Sequence, residues 1–143
     1  MSYREKFAWL SLLAIAVTYG PYFVLTALKP PPAGVLPNLE QLAFFGMIAV
    51  TQVVILVAGR GVLALGTPKE ERGPADERDR AIELRASRIA YYVLIGGVIW
   101  AGVVLPFVSS GWQIVNTALA AIVIAEVVQH GLTVRGYRRG WHD

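Results

Sequence analysis

The sequence contains no cysteine and only two histidines among its 143 residues. Without cysteine the chain has no disulfide, no thiolate nucleophile and no cysteine-ligated metal site. It also contains no Walker loop, dinucleotide fingerprint, HExxH sequence or nucleophile elbow. We therefore expect no bound metal, no cofactor and no enzymatic activity.

Charged residues are scarce, at 16% of the chain, whereas soluble domains have roughly 25%. Three runs contain no Asp, Glu, Lys or Arg: residues 7–28 (22 residues), 41–59 (19 residues) and 89–125 (37 residues). About 20 apolar residues of helix span the hydrocarbon core of a bilayer. A soluble helical bundle would need a polar stripe on each helix, and these runs have none. The composition therefore predicts an all-α, polytopic membrane protein.

The long third run is interrupted by the turn residues "SSGW", so it divides into two spans. A single membrane domain results, with predicted spans at residues 7–28, 39–59, 89–108 and 113–133 and a polar connector at 60–88. Asn38 is suited to cap the second span, and Asp76 to cap a helix that continues into the third. Pro106 should disturb the outer end of that third helix.

The basic residues are distributed unevenly between the two ends of these spans. Twelve of the 13 Lys and Arg residues precede the first span, lie in the connector or follow the fourth span, and Lys29 is the exception. By the positive-inside rule, both termini and the connector face the cytoplasm. The same rule explains the pI near 9.4, so we expect a lipid bilayer and no nucleic acid as partner.

The second and fourth spans resemble each other. Aligning residues 47–61 with 121–136 places Gln52 on Glu126 and Arg60 on Arg135. This alignment suggests two repeated helical hairpins related by a pseudo-two-fold axis along the membrane normal. The alternative is a chance similarity between two helices rich in Val, Ile and Ala.

Glu126 is the one acidic residue in the interior of a predicted span, about 10 Å from the cytoplasmic interface, since Glu40 lies at the very start of the second span. A charge at the centre of a membrane costs roughly 2.5–3.5 kcal/mol on insertion scales, so such residues usually pair, titrate or face the bundle interior. His130 lies one helical turn away on the same face. We predict an intramembrane polar site of Glu126, His130, Gln52 and Arg60, with Glu126 buried in a structural pair. The alternative is a site for coupled transport of protons or cations.

Small residues form a stripe on each of the last two spans. Thr117, Ala121 and Ala125 lie on the fourth span, and Gly97 and Ala101 on the third. Such stripes let helix backbones approach closely. We favour packing within the chain, and the alternative is a homodimer.

The most patterned polar segment lies before the third span, at residues 76–88. Five of its residues form a predicted partner-docking site: Asp76, Glu77, Arg78, Asp79 and Arg80. One interpretation is a capped helix start with balanced charge. The other is docking, either of a separate partner or of Arg60 and the C-terminal arginines of the same chain.

The segment "DERDRAIELRASRIAYYVL" resembles a segment in small, four-span bacterial membrane-protein families of unknown function. The residues that carry the resemblance are Asp76, Glu77, Arg78, Ile82, Ala86, Ala90 and Tyr91. The resemblance implies a bacterial inner-membrane protein and brings no activity or catalytic residues with it. We expect an interaction or regulatory protein that presents this helix to a cytoplasmic or membrane protein partner. The competing class is a small transporter or channel built around Glu126.

Overall fold

Four long helices make up the protein. The structure, a computed structural model, describes residues 1–30, 38–109 and 111–139, without the side chain of Glu71. Within those ranges there are no strands, and the helices are α1 (Tyr3–Leu28), α2 (Leu39–Leu65), α3 (Glu77–Ile99) and α4 (Trp112–Arg139). The proline-rich loop after α1 and the end of the basic C-terminal tail lie outside the described residues.

Two helix starts have the caps that the sequence predicts. The Asn38 side chain accepts a hydrogen bond from the backbone N–H of Gln41 at 3.1 Å. At the start of α3, Asp76 accepts from the backbone N–H of Asp79 at 2.6 Å, and the Asp79 carboxylate accepts from the N–H of Asp76 at 3.4 Å. This reciprocal pair satisfies two N–H groups that the helix itself leaves unbonded.

The link between α2 and α3 is shorter than the predicted connector at 60–88. α2 continues to Leu65 and α3 starts at Glu77. The apolar residues after Arg60 extend the helix beyond the predicted span, and the Asp76 cap starts the next helix well before the apolar run. What remains between the helices is residues 66–76, with one 3₁₀ turn at Glu70–Arg72.

The outer end of α3 changes its winding, as the proline predicts. The α-helix passes into a π-helical turn at Trp100–Val104 and then a 3₁₀ turn at Leu105–Phe107. Pro106 has no N–H and its ring would clash with the carbonyl four residues earlier, so regular α-helical bonding cannot continue there. The turn into α4 then uses Gly111 at φ 62°, a conformation that glycine adopts without strain.

The helices pack side by side in the order α2, α1, α4, α3. α1 packs against α2 and α4, and α4 packs against α3, whereas the described residues of α2 and α3 have no comparable contact. A pseudo-two-fold axis between the hairpins would require α2 to pack on α3 as α1 packs on α4. The packing is therefore asymmetric about the axis that the sequence repeat suggests.

The surface of the bundle is apolar, and α2 shows this most clearly. Of all residues of α2, which lies entirely in the described part of the chain, Gln52 is the one that is buried, while Val53 and Val57 are exposed. This is the reverse of a soluble helix, and it suits lipid, which accepts apolar side chains but no unpaired polar group. All four helices are long and apolar enough to cross a bilayer, which confirms the predicted fold class.

The small-residue stripes of α3 and α4 pack against each other within the chain. Ala101, Ala121 and Ala125 are buried, and a Cβ atom built on Gly97 would lie only 2.5 Å from the Cβ of Ala121. The backbones of the two helices are thus closer at Gly97 than any larger residue would allow.

This close approach makes neighbouring glycines respond differently to alanine. We expect Gly97→Ala to lower the free energy of unfolding by about 1–3 kcal/mol, because its methyl group overpacks the interface. Gly96→Ala, whose Cβ would meet nothing within 4 Å, should be neutral or raise stability by about 0.5–1 kcal/mol. Thermal unfolding of both variants in detergent measures the difference. Equal changes in the two midpoints would contradict the close contact.

Candidate functional site

Polar side chains join three helices at one end of the bundle, where α1 and α3 begin and α4 ends. We call this the charged end. The Arg4 guanidinium lies 3.2 Å from Oδ2 of Asp79 and 3.0 Å from Oε1 of Glu83. The Tyr137 hydroxyl donates a hydrogen bond to Oδ1 of Asp79 at 2.7 Å. Asp79 therefore binds α1 and α4 to the start of α3.

A second ion pair at the charged end joins the first helix to the last. Nε of Arg138 lies 3.2 Å from Oε1 of Glu5, whose carboxylate is buried. The guanidinium also lies over the ring of Trp9, with 5.2 Å from Cζ to the ring centroid. A carboxylate with so little contact with solvent requires a cationic partner, so this pair fixes α4 against α1.

A cavity of ≈ 290 Å³ opens at the charged end. All four helices contribute to its wall, and its polar lining includes Arg4, Arg60, Glu83, Ser87, Gln129 and His130. The apolar part of the wall comes from Phe7 and Ala8 of α1. Two residues of the predicted intramembrane site, Arg60 and His130, thus meet in this cavity although α2 and α4 are not neighbours in the packing order.

The two arginines of the cavity differ in their partners. Arg4 is neutralised by Asp79 and Glu83. Arg60 instead lies over the Phe7 ring, 5.7 Å from Cζ to the centroid, and no ion pair joins it to a carboxylate in the described part of the chain. A cation over an aromatic face is held in position, but the ring takes up none of the guanidinium N–H groups.

Glu126 pairs with His130 as the spacing predicts, but it is not buried. Oε2 of Glu126 lies 3.5 Å from Nε2 of His130, and the glutamate side chain is 55% exposed. Val123 and Ala125, which flank Glu126 around the circumference of α4, are buried instead. α1 and α3 pack on opposite sides of α4 and leave the face between them open. Glu126 lies on that open face. It is one helical turn further from the charged end than His130, which belongs to the cavity wall.

Gln52 is separate from this pair, so the predicted four-residue site is divided. Its side-chain oxygen accepts a hydrogen bond from the Thr18 hydroxyl at 2.7 Å, between α1 and α2. A similar bond joins the Tyr22 hydroxyl to Oδ1 of Asn116 at 3.1 Å, between α1 and α4. Thr18, Tyr22 and Asn116 are not among the site residues predicted from the sequence. The available signal was an uncharged polar residue within an apolar span, which tends to bond across helices.

The five residues of the predicted docking site divide between two faces of α3. Asp79 faces inward, where it contacts Arg4 and Tyr137. Glu77, Arg78 and Arg80 are exposed, and Asp76 serves as the cap. Arg60 and the C-terminal arginines do not dock on this segment through any contact that the structure describes.

Comparison with known proteins finds no matching family model, no matching curated protein and no matching solved structure. The resemblance of the segment before the third span therefore stays a prediction. Among the side chains that the structure describes, no group of three or more His, Cys, Asp or Glu residues is placed to hold a metal ion. The candidate site is thus defined by its geometry: a cavity with one unneutralised arginine and a Glu126–His130 pair beneath it.

Adjacent arginines at the end of α4 test the ion pair with Glu5. We expect Arg138→Gln to lower the free energy of unfolding by about 1–3 kcal/mol, because it leaves a buried carboxylate without its cation. Arg139→Gln removes an exposed arginine and should change stability by less than about 0.5 kcal/mol. Chemical denaturation in detergent, followed by tryptophan fluorescence, measures both. If both variants lose the same amount, the effect is one of net charge and not of the pair.

Proposed function

We propose that the protein is a non-enzymatic interaction or regulatory protein of the bacterial inner membrane, with its charged end in the cytoplasm. The cytoplasmic orientation follows from the excess of Lys and Arg at this end of the four helices. The bacterial origin rests on the resemblance of the segment at residues 76–91. In this proposal the start of α3 presents its outer face to a protein partner.

One observation carries the proposal: the first three turns of α3 are fixed on one face and carry a stripe of exposed side chains on the other. The inner face includes Ile82, which is 3% exposed. The outer face has a stripe at helical spacing, namely Glu77, Ala81, Leu84 and Arg88, all of them exposed. Leu84 is 63% exposed, and it offers an apolar anchor between two charges of opposite sign.

Because its inner face is fixed, the start of α3 is already ordered when a partner binds to the outer face. The cap at Asp76 and the contacts of Asp79 with Arg4 and Tyr137 hold this helix start in place before any partner arrives. A partner therefore has less conformational entropy to overcome than it would with a flexible tail. A helix with one apolar anchor among charges of both signs suits a groove on a protein better than an anionic lipid surface, which would select basic residues alone.

Site-specific photocrosslinking in the native membrane tests this function. We expect a photoreactive amino acid at Leu84 to give one discrete protein adduct. The same amino acid at Val62, which is equally exposed but lies on α2 near the same end of the bundle, should give none. Adducts of the same mass at both positions would indicate random collision and would contradict the proposal.

A charge reversal then tests whether the adduct depends on the docking residues. Arg78→Glu should lower the yield of the Leu84 adduct about fivefold or more, since a reversed charge at the rim of an interface weakens association. Arg135→Glu, the same change at an exposed position of α4, should leave the yield unchanged. A yield that both changes lower equally would point to membrane insertion and not to a partner surface.

A second candidate function is coupled transport of protons or cations, and one specific observation favours it. His130 belongs to the wall of the cavity at the charged end, and Glu126 lies 3.5 Å beyond it, with an exposed side chain one turn deeper in the membrane. An imidazole that can take up and release a proton is a suitable carrier between such a cavity and a carboxylate.

Transport is tested in proteoliposomes with a pH-sensitive dye. If the protein carries protons, Glu126→Gln should abolish the flux with little change in the thermal midpoint, and Glu77→Gln, which removes an exposed carboxylate outside the cavity, should leave the flux intact. If the wild type carries no flux and Glu126→Gln lowers the midpoint, Glu126 has a structural role and the transport candidate fails.

A further inference from the structure

We propose that the cavity at the charged end binds a phosphate group, carried by a lipid headgroup or as free phosphate. This inference is independent of the partner surface on α3, since that helix lines the cavity with Glu83 and Ser87 and not with the exposed stripe that begins at Glu77. It rests on an arginine without a carboxylate partner among the described residues, on the hydrogen-bond donors in the cavity wall and on the way the cavity opens.

One cation in the cavity wall has no carboxylate in contact with it in the ranges that the structure describes. Arg4 is bound by Asp79 and Glu83, and Glu126 by His130. Arg60 makes no such contact within the described part of the chain and lies over the Phe7 ring. The guanidinium of Arg60 has five N–H donors and no acceptor. A planar fork of this kind matches two phosphate oxygens at once.

Two other hydrogen-bond donors in the cavity wall also have no acceptor within the described part of the chain. The Ser87 hydroxyl of α3 and the Gln129 side-chain amide of α4 line the cavity. Neither makes a side-chain hydrogen bond within the described part of the chain. Together with Arg60 they surround the cavity from three helices, and a tetrahedral anion is able to accept hydrogen bonds from several directions.

The cavity is open in a way that suits a lipid. α2 and α3 both line it without extensive contact between their described residues, so no packing of these two helices closes the cavity between them. Arg60 lies near the end of α2, and the same helix exposes Val53 and Val57 further into the membrane. A phosphate at Arg60 would therefore allow acyl chains to continue along an apolar helix face.

Binding assays on the purified full-length protein in detergent test the proposal. The probes are dihexanoyl phosphatidic acid and inorganic phosphate, each titrated and followed by native mass spectrometry and by the thermal midpoint. We expect Arg60→Gln to weaken binding of the phosphate-bearing probe about tenfold or more. Arg60→Lys, which keeps the charge but loses the fork, should fall between the wild type and Arg60→Gln.

Arg135→Gln is the matched control. Arg135 is the sequence counterpart of Arg60 in the alignment of the second and fourth spans. It is exposed and lies nine residues from Glu126, which is half a turn away around α4. Its loss should change the affinity less than about twofold, because only distant charge is removed.

The outcomes separate the two sources of phosphate. Arg60-dependent binding of phosphatidic acid alone identifies a lipid headgroup, and equal Arg60-dependent affinity for inorganic phosphate identifies the free anion. Binding of neither probe overturns the proposal, as does an equal loss in Arg60→Gln and Arg135→Gln. Should Arg60→Gln fail to fold, Ser87→Ala takes its place: we expect about threefold weaker binding, and unchanged affinity overturns the proposal.

Discussion

The two helical hairpins are held together mainly where α1 packs on α4. A hydrogen bond between Tyr22 and Asn116 joins the inner part of this interface, and the buried Glu5 joins its end by pairing with the exposed Arg138. Lipid tails are as apolar as the helix surfaces, so apolar contact alone gives little preference for association in a membrane. The hydrogen bond in the inner part of this interface and the ion pair at its end supply that preference. They also help to hold the hairpins in the arrangement that forms the cavity.

The sequence was sufficient to predict the number of helices and their caps at Asn38 and Asp76, since these depend on local composition and spacing. It also predicted the pairing of Glu126 with His130, four residues apart. It did not predict that Gln52 bonds to Thr18, because the two belong to different helices. Nor did it reveal that Glu126 faces outward: in a membrane both the core and the surroundings are apolar, so hydrophobic periodicity does not mark the inner face.

The cavity relates the three functional hypotheses without making them equivalent. Its arginines are distinguished by their partners: Arg4 contacts Asp79 of α3, the helix on which the partner hypothesis depends, while Arg60 lies over the Phe7 ring and is the arginine on which the anion hypothesis depends. His130 is turned toward Glu126, the pair on which the transport hypothesis depends. The three hypotheses are compatible, because each depends on different atoms in or next to the cavity.

Asp79 has a further consequence for the dynamics of the protein. Its carboxylate closes the first turn of α3 and simultaneously accepts from Tyr137 near the C terminus of the chain. Fraying of that turn and release of the end of α4 are therefore coupled, since either event breaks the shared hydrogen bond. Whatever pulls on the end of α4 would weaken the contact of Tyr137 with the start of α3, and whatever binds that helix start would steady the end of α4, although Tyr137 and Asp79 lie 58 residues apart.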